Sequence, residues 1–333
     1  MVRKFGLAVA WLLLGGSFLS FIAAVARDGQ PPPPPVEEHP APPEPEVKPP
    51  PPTEPVDPRW SRLSTPDPRV ITALAISRDG ALLAGGNTDG AVFVWNARGA
   101  VIGRLRGHSA RITAIAFGDD GRTLASAASD DQVRVWDVTS NRTTRTIPFH
   151  GPRALAFSSD GAFLAVGGTE RRISILDRAI NVVDSIPVVR SCSALAFSPA
   201  AGRLASGSPS GEVHIWSMRE RELFAECDGH DDDVCAIAWG ASLVSADESG
   251  TPRVWHPHTG RQLTLTARRA VALSADAETF LHDEGDELVV SRKDLHWQLS
   301  RPGPVTTMAL AGDGSVVAAA CSDGTLWRRQ LTK

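Results

Sequence analysis

Arg106 to Asp137 reads RGHSARITAIAFGDDGRTLASAASDDQVRVWD. Two alternating apolar runs, Leu124-Ala-Ser-Ala and Val133-Arg-Val-Trp136, are parted by Ser and Asp. Phe117 closes a third run ahead of a Gly-Asp-Asp-Gly turn. Short alternating runs bounded by such residues are strands joined by tight turns. Working outward, an apolar or aromatic residue ahead of a Ser/Gly-Asp-Gly turn recurs at Ile76, Phe117, Phe157, Phe197, Trp239, Leu273 and Leu310, at intervals of 41, 40, 40, 42, 34 and 37 residues. A second landmark follows 19 residues later at Trp95, Trp136, Leu176 and Trp216; in the fifth copy it is Trp255, 16 residues on, because the turn shortens to Gly240-Ala-Ser. Repetition near 40 residues with four strands per unit is the signature of propeller blades, which bury their faces only by stacking on neighbours. The expected fold is all-β, a seven-bladed β-propeller over residues 59–333.

The end marks Gly107-His108 and Trp136-Asp137, recurring in phase, make this region resemble the WD40 repeat family. That resemblance implies a hydrogen-bonded tetrad in the second copy, formed by Trp136, Ser126, His108 and Asp130. In the fifth copy His230, Ser245 and Trp255 match, with Ser249 at the Asp position. The first copy keeps Trp95 and Asp89 and lacks the Gly-His. Copies six and seven depart most, with Ser291 and Arg329 at the Trp position and Trp327 two residues early. The seventh copy ends three strands in, so the segment Arg59 to Ser64 is expected to supply the outer strand of the last blade and hide an edge open to aggregation.

Upstream, Phe5 to Ala26 runs 22 residues without a charge, about 33 Å as a helix and enough to cross a bilayer. Arg3 and Lys4 precede it and Asp28, Glu37, Glu38 and Glu44 follow, which leaves the N-terminus in the cytoplasm and the remainder outside. Residues 1–28 are therefore expected to be a transmembrane signal anchor. The competing reading is a cleaved signal giving a secreted or periplasmic protein, since Ala24-Val25-Ala26 has the small-x-small pattern of a cleavage site. Residues 29–58 read as a proline-rich disordered linker, whose 28 residues from Pro31 to Pro58 reach roughly 85 Å at about 3.1 Å per residue. Its Pro-x-x-Pro stretches also suit aromatic grooves, a narrower reading than a spacer.

Lys+Arg is 34 against Asp+Glu 38, a net charge of -4, so nothing in the charge balance favours nucleic acid. The nine His do not assemble a nucleophile, base and acid constellation: His108 and His230 match the tetrad, His39 is in the proline tract, His150, His256 and His258 are in loops, His214 is on a strand, and His282 and His296 fall in the degenerate sixth copy. Asp231-Asp232-Asp233 could be a hard-cation site, but three consecutive acids cannot all face one ion from an extended loop, and a solvated loop is the simpler reading. Neither cofactor nor metal is expected. Cys192, Cys227, Cys235 and Cys321 lack zinc-ligand spacing. A bridge between Cys192 and Cys235 is conceivable in an oxidising compartment, but free thiols are the simpler expectation, with Cys192 at the apolar position of Ile112 and Val234.

The resemblance implies a docking platform whose partner face is made by loops leading into the first strand of each blade. Here those loops carry Arg111, Arg153, Arg190, Asp232, Asp233 and Arg269, an excess of positive charge that would suit an acidic peptide or protein. The expected function is a non-catalytic protein-interaction scaffold displayed outside the cytoplasm on its tether, with the partner's identity open. A passive envelope structural protein and an exported propeller enzyme with a central-channel site are the alternatives. The innermost strands TALAIS, TAIAFG, RALAFS, SALAFS and CAIAWG are nearly all apolar or small and argue against the enzyme.

Overall fold

The computed structural model describes residues 60–67, 69–263, 270–273, 279–284, 287–292, 295–300 and 302–331. Both the apolar run at 5–26 and the proline-rich tract at 29–58 lie outside the described residues. No helix among the described residues is long and apolar enough to cross a membrane.

Residues 52–333 form one compact unit, whose described residues make a β-propeller of seven four-stranded antiparallel sheets. Six are described through their side chains; of the sixth sheet, from Ala270 to Ser300, mostly the backbone is described. The innermost strands are Ile71–Ile76, Ile112–Phe117, Pro152–Phe157, Ala194–Phe197, Val234–Trp239, Ala270–Leu273 and Val305–Leu310. Each of the seven sequence landmarks ends one of them, opposite the second strand, as Phe117 faces Leu124 and Leu310 faces Val317. The turns beyond are built by their own residues. In the first sheet Ser77 donates to Asp79 at 2.7 Å, Asp79 accepts the Ala81 amide at 3.0 Å, and Gly80 takes φ +70°, a left-handed conformation that glycine adopts without penalty. The Ser77 hydroxyl and the Ala81 amide hold the Asp79 carboxyl below the usual range.

Apolar residues of adjacent sheets interlock, as Ile112 and Leu124 pack with Ala84, Val92 and Val94. Space for this comes from missing side chains. A Cβ on Gly86 would lie 2.5 Å from Ile112, one on Gly207 2.5 Å from Val234, and one on Gly167 2.6 Å from the Cys192 sulfur. Cys192 thus occupies the Ile112 and Val234 position, and its burial pushes the thiol up to about 12. All four cysteines are free thiols.

Ser61–Leu63 pairs antiparallel with Leu326–Gln330 and forms the outer strand of the seventh sheet. Trp60 packs among Leu281, Val290 and Leu310, while Leu63 packs among Ile71, Leu83 and Trp95, so this short strand seals both flanks of the sheet that holds the two ends together. Arg59, where the sequence places the start of the domain, lies outside the described residues.

Candidate functional site

Hydroxyls and carboxylates organise the face that carries the segments between each outer strand and the next inner strand, here called the upper face. In the second sheet the indole of Trp136 donates to Ser126 Oγ at 2.8 Å, and Ser126 Oγ lies 2.9 Å from His108 Nε2. The Asp130 carboxylate can only accept, so His108 Nδ1 carries the hydrogen that meets it at 3.0 Å, and the neutral ring leaves Nε2 to accept the Ser126 hydroxyl proton. Asp130 also accepts the Ser109 amide at 2.9 Å. This fixes the loop before the inner strand to the turn between the second and third strands.

The fifth sheet repeats the chain of bonds through a different acid. Trp255 donates to Ser245 Oγ at 2.7 Å, Ser245 Oγ lies 2.7 Å from His230 Nε2, and His230 Nδ1 meets Asp247 Oδ2 at 2.9 Å. The expectation that Ser249 stands in for the aspartate is corrected: Asp247, two positions earlier, is the carboxylate, and Ser249 donates to its other oxygen at 2.6 Å. The turn that follows is one in which Asp247 Oδ1 also accepts the Thr251 amide at 2.8 Å, which places the acid at the end of the strand. Burial alone would raise this carboxyl; the bonds from Ser249, Thr251 and His230 outweigh it and hold the group low. Burial likewise depresses His108 and His230, against the pull of their aspartates, and Arg134 and Arg253 add to the depression.

These arginines lie against the glycine before each histidine. A Cβ on Gly107 would meet Arg134 Nη1 at 2.7 Å, and one on Gly229 would meet Arg253 Nη1 at 3.1 Å. Other sheets are only partly wired. Trp216 donates to Ser206 Oγ at 2.8 Å, a bond that the landmark reading did not include. Trp95, with Gly85 in place of the serine, donates instead to the Ser64 carbonyl at 2.9 Å. Its copy's Asp89 pairs with Arg69 at 3.0 Å. Arg329 is buried at the Trp position of the seventh sheet, and Trp327 donates to Thr325 Oγ1 at 3.0 Å.

Four residues ahead of the landmark, at or just before the inner strand, most sheets carry a residue whose side chain ties neighbouring sheets. Thr72 donates to Ile112 O at 2.6 Å, Thr113 to Pro152 O at 2.6 Å, Ser193 to Val234 O at 2.6 Å and Thr306 to Ile71 O at 3.2 Å. In the third sheet this position is Arg153 and in the fifth Cys235. Both line a central channel of about 1080 Å³ whose wall is otherwise mainly Ala, Leu, Ile and Phe from the inner strands. The Cys235 thiol faces Ala246 O at 3.5 Å, and burial, together with Glu248, Asp247 and Asp232, pushes it up to about 11.

Of the partner-face residues, Arg111, Arg153 and Asp232 are exposed and Asp233 is half-buried. Arg190 is exposed and pairs with Glu212 at 3.5 Å, so its charge is not free. Arg269 lies outside the described residues. Beside Arg190, Val189 is 78% exposed, the most exposed of the large apolar side chains among the described residues. Glu248, missed by the sequence reading, also lines the channel and is exposed. Its position on the turn between second and third strands was the available signal. No group of three or more His, Cys, Asp or Glu poised to hold a metal occurs among the described residues.

Residues 61–96, 99–137, 141–177 and 187–217 match the family model for the WD domain, G-beta repeat. Each segment covers the three inner strands of one of the first four sheets, and the first three begin with the outer strand of the sheet before it; with the propeller architecture they support a WD40 β-propeller. No curated protein matches the chain.

Proposed function

We propose that this protein is a non-catalytic protein-interaction scaffold, held outside the cytoplasm by its N-terminal apolar segment and proline-rich tether, with the upper face of the propeller as its docking surface. WD40 propellers commonly serve as protein-interaction scaffolds. The observation that carries the reading here is the upper face itself: Arg111 and Arg153 are exposed on it with no acid paired to either among the described residues, and Val189 is exposed on the same face. Charged rims around an apolar contact steer and orient protein partners. Most of the channel wall is alanine, leucine, isoleucine and phenylalanine, with Cys235 and Glu248 among its few reactive or ionisable side chains, which favours docking over chemistry.

The display outside the cytoplasm rests on Arg3 and Lys4 ahead of the uncharged run and the acidic residues after it. Intact mass of the protein from its native host, with protease accessibility in sealed cells or spheroplasts, tests it. A chain retaining Met1 or Val2 at its N-terminus, with the propeller cut from outside, supports the anchored scaffold. A chain starting at Arg27 removes the anchor, and a propeller protected in sealed cells overturns the orientation.

A further inference from the structure

The outer strands, which form the rim of the propeller, differ sharply in charge. In the first sheet the outer strand and the residue after it read Val101-Ile-Gly-Arg-Leu-Arg106; in the fourth they read Leu223-Phe-Ala-Glu-Cys-Asp228. Position for position the two correspond: two apolar residues, a small one, a charge, a buried residue and a second charge. Leu105 and Cys227 are fully buried and face Val92 and Val213, three residues before the Trp landmark in each sheet. The flanking charges are opposite at both places, Arg104 against Glu226 and Arg106 against Asp228, and all four residues are exposed. The strand itself demands neither charge. Around the equivalent Ile147 the second sheet has Thr146 and Pro148, and around Ile186 the third has Ser185 and Pro187. At the start of the two charged strands Val101 and Ile102 are 38% and 41% exposed, and Leu223 and Phe224 are 41% and 42% exposed, apolar surface that gains by leaving water.

We propose that the outer strand Val101–Leu105 of one copy lies alongside the outer strand Leu223–Cys227 of a second copy and runs the same way. Arg104 then meets Glu226, Arg106 meets Asp228, and Val101 and Ile102 meet Leu223 and Phe224. Reversing one strand would set the charges against apolar residues, so only the shared direction satisfies both. Each outer strand runs from the lower end of its sheet towards the upper face, and strands that share a direction keep the upper faces of both copies on the same side. Self-matched contacts, arginine on arginine or acid on acid, are repelled, which makes the contact head-to-tail. The sheets pack in chain order around the ring, so the first and fourth stand three steps of seven apart, nearly opposite. Two different patches so placed extend into a row and do not close a symmetric dimer. A contact one strand wide is smaller than a standard interface of about 1,600 Å², so the association is weak when dilute and grows with crowding. The inference goes beyond the scaffold reading, because a row would present its docking faces side by side to a partner with repeated sites.

The test uses the full chain in mild detergent, with its mean mass followed by light scattering up to the solubility limit. The mass should climb past that of a dimer as concentration rises and fall back when salt is added. Arg104→Glu with Arg106→Asp makes both strands acidic, and Glu226→Lys with Asp228→Lys makes both basic. Each double variant alone should associate about tenfold more weakly, the size of losing two exposed charge pairs, while an equal mixture of the two should recover the association. All four positions are exposed, and unchanged melting curves would exclude misfolding. For direction, an Ile102→Cys chain and a Phe224→Cys chain, both in a Cys235→Ser background, should on oxidation join unlike chains and not like ones. A mass that stays monomeric throughout, double variants that associate like the parent, or a mixture that recovers nothing overturns the contact. Joining of like chains through Ile102→Cys means a symmetric pair and overturns the row. None of these outcomes depends on whether the N-terminal run is retained, so the anchored scaffold stands or falls by its own test.

Discussion

At the scale of single residues, Asp130 and Asp247 do the same work from different places in their turns. Removing the carboxylate in Asp247→Ala would leave His230 Nδ1 and the Thr251 amide without their acceptor in a buried site, a cost of about 2–3 kcal/mol. Ser249→Ala removes hydroxyl bonds to Asp247 and Thr251 at an exposed position and should cost less than about 1 kcal/mol. Urea midpoints at unchanged slope measure both, and equal losses would mean that Ser249 is the fourth member after all. The histidines add a pH dependence. Because the folded protein holds His108 and His230 below their ordinary value, the unfolded chain binds protons more readily as pH falls. Their contribution is therefore complete above about pH 6.5 and is lost as pH drops from there through the depressed folded values. The denaturation midpoint should fall between pH 7.5 and 5, and a midpoint that stays level or rises would sink the assignment.

At the scale of strands, the ring depends on what the second strands omit. Gly207 faces Val234 where a Cβ would stand 2.5 Å away, so Gly207→Ala must push two sheets apart and should cost about 1–3 kcal/mol by overpacking. Calorimetry of the propeller measures it. A neutral result would mean that the fourth and fifth sheets slide freely. The landmarks Ile76 through Leu310 were legible in the sequence because each lies a fixed number of residues before a turn with its own chemistry, and that phase set the strands. The second-copy tetrad was legible too, since its spacing is the repeat's usual one. Asp247 was not: its role depends on which carboxylate the turn aims at His230, and the alignment by position chose Ser249. Trp95 was half-legible, because its landmark position marks it as core while its acceptor, the Ser64 carbonyl, belongs to a segment outside its own repeat. Arg153 was legible as a face residue and its place on the channel was not, since only the bulge between Pro152 and Ala154 turns it there.

At the scale of the whole propeller, closure is shared among bonds that join the first sheet to the seventh. Thr306 donates to Ile71 O, and Arg328 donates to Ala97 O at 2.7 Å and Gly80 O at 3.0 Å. The clasp strand adds Leu63 to the same seam, and the fully buried indole of Trp95 ends on Ser64. Removing residues 60–64 therefore does more than bare an edge of the seventh sheet. It leaves the Trp95 N–H buried without an acceptor, a further cost of about 1–3 kcal/mol placed in the first sheet. Trp95→Phe removes that donor in advance, so in a double-mutant cycle the two changes should cost less together than the sum of their separate effects, by about 1 kcal/mol or more. Amide exchange gives the location: in the truncated chain protection should fall in Val92–Asn96 as well as in Leu326–Gln330. Strict additivity, or loss confined to Leu326–Gln330, would mean that the clasp serves the last sheet alone and that Trp95 finds its acceptor elsewhere.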